Sequence, residues 1–262
     1  MHVIDSHAHL NEINDIEGAL QRAREAGVDK TIAIGMDLDS NRDTLELARR
    51  FPEFVFPAIG YHPWSIEADQ VEENLAFIEE NLKHCIALGE IGLDYRAKAK
   101  KKFQWEVFSR LLTIGKQSGL PVIIHSRFSH ERCHRMAVEA SIEKIIFHWY
   151  SGPLDILDKI IADGYYISAT PALAYSPHHK EAIERAPLEH ILIETDAPVE
   201  YEGRVTEPAD VLLTLHELSR LKHMDALEVA AVTTANAIKF FKLPQSCSRD
   251  INSVGKSNQH PD

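Results

Sequence analysis

The sequence predicts an α/β fold, a single (β/α)8 TIM barrel with a short polar tail, and two observations carry that expectation. Eight short apolar runs are spread over about 240 of the 262 residues, and at least one helical pattern separates each run from the next. Strands joined through helices pair in parallel by right-handed crossovers. The first run is also not followed by the glycine-rich phosphate loop that a doubly wound open sheet places there. Eight βα units of this length therefore fit a closed barrel better than an open sheet.

The elements follow in order. "HVID" begins the first strand, and a helical pattern runs from Asp15 to Ala26; "KTIAIG" is the second strand, with a helix from about Ser40 to Arg50 after it. "FVFPAIG" and "CIALGEIG" come next, separated by a helix that sets Leu75, Ile78 and Leu82 at helical spacing. A long helix from about Lys101 to Ser118 leads through "SGLP" to "VIIH", and a further one leads to "KIIFH". "GYYISA" and, after another helix, "HILIE" complete the set. Gly27, Gly119 and Gly164 stand near helix ends, where a left-handed cap belongs. Two helices, roughly Glu207 to Lys222 and Asp225 to Phe240, close the barrel domain, residues 1–243. Residues 244–262, "PQSCSRDINSVGKSNQHPD", are polar and rich in Ser and Asn, and predict a disordered tail.

Composition narrows the function. Charged residues make up 26% of the chain and the formal net charge is −12, which argues against coating nucleic acid through a global field. An anionic substrate then needs local positive charge, from metal or from a few basic side chains. Cys85, Cys133 and Cys247 are odd in number and at no ligand spacing, so a disulfide framework is not expected and a reducing, cytoplasmic compartment fits. No apolar run approaches the ~18 residues that span a membrane, and no basic-then-apolar leader opens the chain. Oligomeric state is left open, and a monomer is compatible with the sequence.

The chemistry begins in "DSHAHL". On an extended strand His7 and His9 point to one side while Ala8 points away, so two imidazoles can share one ion. A lone HxH pair is more often an ordinary pair of core or surface histidines. Four further residues change that balance. Glu90 follows "IALG", His125 ends "VIIH", His148 ends "IIFH", and Asp196 lies two residues past "ILIE". In a barrel the carboxyl ends of all strands meet at one mouth, so these positions converge. Imidazole and carboxylate donors without cysteine suit Zn²⁺, Mn²⁺, Co²⁺ or Mg²⁺ and disfavour a closed structural zinc. Four histidines and two carboxylates exceed one tetrahedral shell; two ions about 3.5–4 Å apart, sharing Glu90, would use them all.

The ordered motifs "DSHAHL", "GYHPW", "GEIGLDY", "PVIIHSR", "FHWYSG" and "IETDAP", continued by "TEP" and "TTANAIKFF", resemble the TatD family of metal-dependent hydrolases within the amidohydrolase-like barrels. The resemblance spans the chain up to Leu243. It implies a divalent metal centre and phosphodiesterase activity on DNA, with DNA as the partner. By matching position it implies that His7, His9 and Asp196 hold one ion, that His125 and His148 hold the second, and that Glu90 bridges them. The motif "TEP", Thr206-Glu207-Pro208, replaces a common Asn-Glu-Pro, and Trp149 replaces a common cysteine; both changes bear on substrate rather than on metal.

Roles follow from chemistry. A metal-activated water attacks phosphorus in line, Asp196 orients that water and takes its proton, and Glu90 supports both ions. His62 either contacts the phosphate or packs against Pro63 and Trp64. Arg127 can offer phosphate a planar pair of hydrogen bonds, or simply face solvent. The resemblance makes the loop carrying Asp94 and Tyr95 part of the substrate site, although Asp94 can equally cap structure or orient a ligand histidine. "RAKAKKKF" reads first as a solvated helix start and second as a patch for a nucleic-acid strand. Trp149 or Tyr150 is a candidate for stacking on a base, or for lining the rim. A different hydrolase on the same scaffold, acting on a lactone, amide or small phosphoester, is the alternative to a deoxyribonuclease. A non-catalytic barrel predicts lost ligands, and none is lost.

Overall fold

The computed structural model describes residues 2–244. Eight parallel strands occur in chain order around one sheet: β1 Val3–Ala8, β2 Val28–Ile34, β3 Val55–Ile59, β4 Ala87–Asp94, β5 Val122–Arg127, β6 Ile145–Phe147, β7 Tyr166–Ala169 and β8 Ile191–Ile193. The helices between and after them are α1 Ile16–Ala26, α2 Leu38–Arg50, α3 Val71–Asn81, α4 Lys101–Ser118, α5 His130–Glu139, α6 Leu154–Ala162, α7 Pro177–Arg185, α8 Val211–Lys222 and α9 Ala226–Phe241. The expected barrel is present. The expected tail, beyond Pro244, lies outside the described residues.

Local sequence explains the boundaries. Asp15 caps α1 by accepting from the Gly18 N–H, and Asp37 and Ser40 form a reciprocal capping box on α2. Gly27 and Gly119 take left-handed φ values of 95° and 65° at the ends of α1 and α4. The helix expected from Glu207 instead starts at Val211. Pro208–Asp210 first forms a 3-10 turn in which the Glu207 and Asp210 side chains cap each other's backbone.

The barrel closes between its ends. Beyond β8, the Asp196 N–H donates to the His7 carbonyl at 2.9 Å and the His9 N–H donates to the Ala197 carbonyl at 2.7 Å. That closure carries Asp196 to the two histidines of β1, across nearly 190 residues of chain.

Inside, an apolar floor lies beneath a polar mouth. Ile4, Ile32, Ala87, Ile123, Ile146 and Leu192 pack with Phe240 and Phe241 of α9, which plug the amino-terminal end. Burying each of those phenyl rings contributes on the order of 1.5–3 kcal/mol. In the fifth, sixth and eighth units the polar mouth continues this interior face at the ordinary period of two, from Ile123 to His125, Ile146 to His148 and Leu192 to Glu194. β1 and β4 differ. Ile4 to His7 and Ala87 to Glu90 are three residues, an odd step that simple alternation sends to opposite faces. The pairing register breaks between Asp5 and Ala8 and between Leu88 and Ile91. An irregularity of this kind re-aims a side chain, and here it turns His7 and Glu90 inward.

Candidate metal centre

Glu90 is the hub. Its Oε1 lies 2.8 Å from His125 Nδ1 and 2.8 Å from His148 Nε2, while its Oε2 lies 3.3 Å from His7 Nε2 and 3.7 Å from His9 Nε2. Asp196 Oδ1 stands 3.5 Å from His7 Nε2 and 3.3 Å from His9 Nε2, and it is buried without a hydrogen-bond partner. All six residues expected from the sequence as ligands are therefore gathered at one mouth. His7 and His9 face each other through Nε2 at 3.4 Å.

Hydrogen bonds behind the rings set which nitrogen points inward. His9 Nδ1 lies 3.2 Å from the Ile34 carbonyl, which can only accept, so in the neutral ring the proton sits on Nδ1 and Nε2 keeps its lone pair. His148 Nδ1 faces the Glu194 carboxylate at 3.3 Å, and His125 Nε2 faces Asp94 Oδ2 at 3.0 Å. Each arrangement leaves the opposite nitrogen for a cation.

Electrostatics mark the cluster as a place for positive charge. Burial by itself lifts the Glu90 carboxyl, but His148, His62 and His125 hold it well below the usual carboxylate range. Burial likewise opposes a charge on His148, yet Glu90 and Glu194 drive its pKa well above the ordinary value. Burial lowers His9 in the same way, and Asp196 with Glu90 outweighs it to bring the ring to about 9. Buried carboxylates here draw protons onto imidazoles that a divalent ion would otherwise satisfy. The donors fit such an ion: His7, His9 and Asp196 bring ligand atoms within 4.8 Å of one another.

His62 belongs to the same cluster, with Nε2 3.5 Å from Glu90 Oε1. The Trp64 backbone N–H donates to its Nδ1 at 3.2 Å, so the ring proton of the neutral form is on Nε2. Burial pushes the His62 pKa down to about 4. With Glu90 and His125, His62 also brings ligand atoms within 4.8 Å of one another.

The other expected residues divide. Both oxygens of Asp94 are used within the protein: Oδ2 accepts from Trp64 Nε1 at 2.7 Å and meets His125, while Oδ1 accepts from the Arg96 N–H at 2.7 Å. Asp94 therefore holds the His125 ring and also caps the turn that leaves β4. Arg127 is exposed at the end of β5. Tyr95 is half-buried, and its hydroxyl accepts from Trp105 Nε1 at 3.1 Å.

One expectation needs correction. Tyr150 is fully buried with its hydroxyl donating to the Pro153 carbonyl at 2.7 Å, so it is core and faces no base. Glu207 of "TEP" accepts a forked pair of hydrogen bonds from Arg22 on α1. Sequence reasoning also passed over Glu194 and Trp64. Glu194 was within reach: it stands two residues past Leu192 of the floor, on the strand that ends in "IETDAP".

A parallel (β/α)8 barrel with histidines and carboxylates buried at its carboxyl-end mouth is the layout of a metal-dependent hydrolase. The family model described as TatD related DNase matches residues 4–242, and the chain belongs to this family. YabD of Bacillus subtilis (strain 168), described as a metal-dependent hydrolase, is 31% identical over 256 residues, covering 92% of this chain and 99% of that protein. Deoxyribonuclease TATDN3 of Homo sapiens is 27% identical, covering 91% of this chain and 94% of that protein. The crystal structure of YJJV, a TatD homolog from Escherichia coli k12, superposes with a TM-score of 0.84 at 27% identity, covering 92% of this chain and 98% of that one. Among the described residues no helix is long and apolar enough to cross a membrane.

Proposed function

We propose that the protein is a deoxyribonuclease that hydrolyses DNA phosphodiester bonds at a two-metal centre. His7, His9 and Asp196 would hold one divalent ion, His125 and His148 the other, and Glu90 would bridge them; Zn²⁺, Mn²⁺, Mg²⁺ and Co²⁺ all suit this donor set. The observation that carries the reading is the division of Glu90, whose Oε1 serves His125 and His148 while Oε2 turns to His7 and His9. When bound, such ions lower the pKa of water towards neutrality and offset charge on phosphoryl oxygens.

The chain's own residues supply the rest. Asp196 stays ionised, since burial opposes its charge but His9 and His7 outweigh burial. Its free Oδ1 accepts the proton of the attacking water. His62, neutral and protonated on Nε2, donates to a phosphoryl oxygen, and Arg127 pairs with phosphate from the exposed rim. Asp94 acts through His125 by holding its ring. Tyr95 lines the way in. The deoxyribonuclease name carried by the human relative supports DNA over a small ester.

The test is hydrolysis of a short single-stranded DNA by metal-stripped protein, with Mg²⁺, Mn²⁺, Co²⁺ and Zn²⁺ restored one at a time and Asp196→Ala as control. Cleavage that needs metal and disappears in the variant is the expected result. No cleavage with any ion, although metal binds, sinks the nuclease reading and redirects the search to small phosphoesters, lactones and amides.

A further inference from the structure

Beside the metal centre, an open cleft of about 910 Å³ runs across the carboxyl-end rim. It touches four consecutive βα units, with Tyr95 after β4, Arg127 at the end of β5 and Phe128 after it, Pro153 after β6 and His178 in α7. Arg127 at its edge stands two residues past His125 on β5, and its backbone pairs with Asp94, whose side chain meets the His125 ring. Apart from Tyr95 and Arg127, the lining of the cleft plays no part in the reaction described above.

Its lining is unlike the rest of the molecule. On a chain of net charge −12, Arg127, Arg132 and Arg135 line one cleft against Glu131 and Glu181. Arg96 and Lys101 extend the positive edge, the first 5.3 Å from the centre of the Phe128 ring and the second 4.1 Å from that of Tyr95. α4 begins with Lys100 to Lys102 and no acidic residue in its first turn, a choice the helix dipole disfavours. Local rules broken together near a site point to a role beyond the fold.

Phe128 is the second observation. It is 62% exposed, and its φ of 57° is a left-handed value that a bulky residue rarely adopts. The backbone thus holds an aromatic ring out at the cleft, beneath the Arg96 guanidinium, instead of burying it. Aromatic faces flanked by arginines are how sequence-independent binders hold a strand, with bases stacking and phosphates paired.

We propose that this cleft holds the DNA strand flanking the scissile phosphate, with Phe128 stacked on a base and Arg127, Arg132 and Arg135 on backbone phosphates. The inference rests on the deoxyribonuclease reading and adds to it a strand path and a specificity-determining residue.

The test separates the two. A fluorescein-labelled oligothymidylate of about 12 nucleotides is titrated against metal-loaded Asp196→Ala protein, alone and combined with Phe128→Ala, Phe128→Trp, Arg132→Gln or Arg135→Gln. In parallel, each cleft variant on the wild-type background is assayed on bis(4-nitrophenyl) phosphate, which is too short to extend along the cleft from the centre. Phe128→Ala should weaken strand binding by roughly 5- to 100-fold, the range of one lost base stack, and Phe128→Trp should restore it. Each arginine variant should reduce the salt slope of log Kd by about 0.7. Hydrolysis of the small diester should stay at the wild-type rate throughout. Unchanged strand binding in every variant overturns the groove while leaving the nuclease reading intact, provided the wild type cuts the strand. Equal losses on both substrates overturn it too, because they indicate damage to the centre. A wild type that hydrolyses the small diester but neither binds nor cuts DNA removes both readings.

Discussion

Glu90 and Glu194 stand on opposite sides of the His148 ring, Glu90 Oε1 at 2.8 Å from Nε2 and Glu194 Oε1 at 3.3 Å from Nδ1. The His148 ring stacks on His7 with centroids 4.3 Å apart, and Glu194 Oε2 and His7 Nδ1 are both buried without partners. In the proposed centre Glu194 would be the carboxylate behind the His148 ligand. Glu194→Gln keeps an acceptor for the Trp149 N–H, 3.0 Å away, but removes the charge behind His148. Metal affinity should fall by about 10- to 100-fold, measured by competition with a chromogenic chelator. Wild-type affinity in this variant would remove Glu194 from the site.

Glu90→Ala and Asp196→Ala should each leave a folded barrel with turnover reduced by at least ~10²-fold, the usual cost of losing a metal bridge or a water-orienting carboxylate. Circular dichroism tests the fold and metal analysis tests stoichiometry, with the Glu90 variant losing more metal. A folded variant that retains near-normal turnover refutes the assigned role.

Gly60 shows how the centre depends on a residue that ligates nothing. A Cβ at this position would lie 2.5 Å from the Glu90 carbonyl oxygen and 2.6 Å from its nitrogen, both backbone atoms that cannot swing aside. Gly60→Ala should therefore destabilise by about 1–3 kcal/mol, the usual cost of overpacking, and displace Glu90. Urea denaturation and activity should fall together. Wild-type stability and turnover would mean that β4 has slack which this packing denies.

Metal loading should depend on pH in a fixed direction. In the metal-free protein, His9 titrates near 9 because Asp196 and Glu90 outweigh burial. Below that pH an incoming ion must expel the proton, so affinity rises with pH, and His125 and His148, both raised, add to the slope. Glu90, held low, is already ionised and adds nothing to this slope at neutral pH. Calorimetry of Zn²⁺ binding in two buffers of different ionisation enthalpy should report proton release at neutral pH. Identical apparent enthalpies in both buffers would contradict it.

Much of this molecule was legible in its sequence, for a physical reason. Strands of a parallel barrel are buried on both faces, so they stand out as apolar runs, and helices announce themselves through caps such as Asp15 and Gly27. Residues that end those runs must gather at one mouth, which is why His125, His148, Glu90 and Asp196 could be assembled before any coordinates. Motif order then gave the family. Arg22 and Glu207 were not readable as a pair, since nothing local links positions so far apart.

What only the tertiary structure decided is how the side chains turn. Counting by twos from the apolar floor aims His125, His148 and Glu194 correctly, but it aims His7 and Glu90 the wrong way. Their inward direction comes from register breaks in β1 and β4, and a register break depends on neighbouring strands, not on the run itself. The same holds for the imidazole protons. His62 and His125 look alike in sequence, yet the Trp64 N–H occupies Nδ1 of one while Asp94 meets Nε2 of the other. Sequence determined which groups meet, because topology brings strand ends together; packing decided which atom each presents, because that is set by partners distant along the chain.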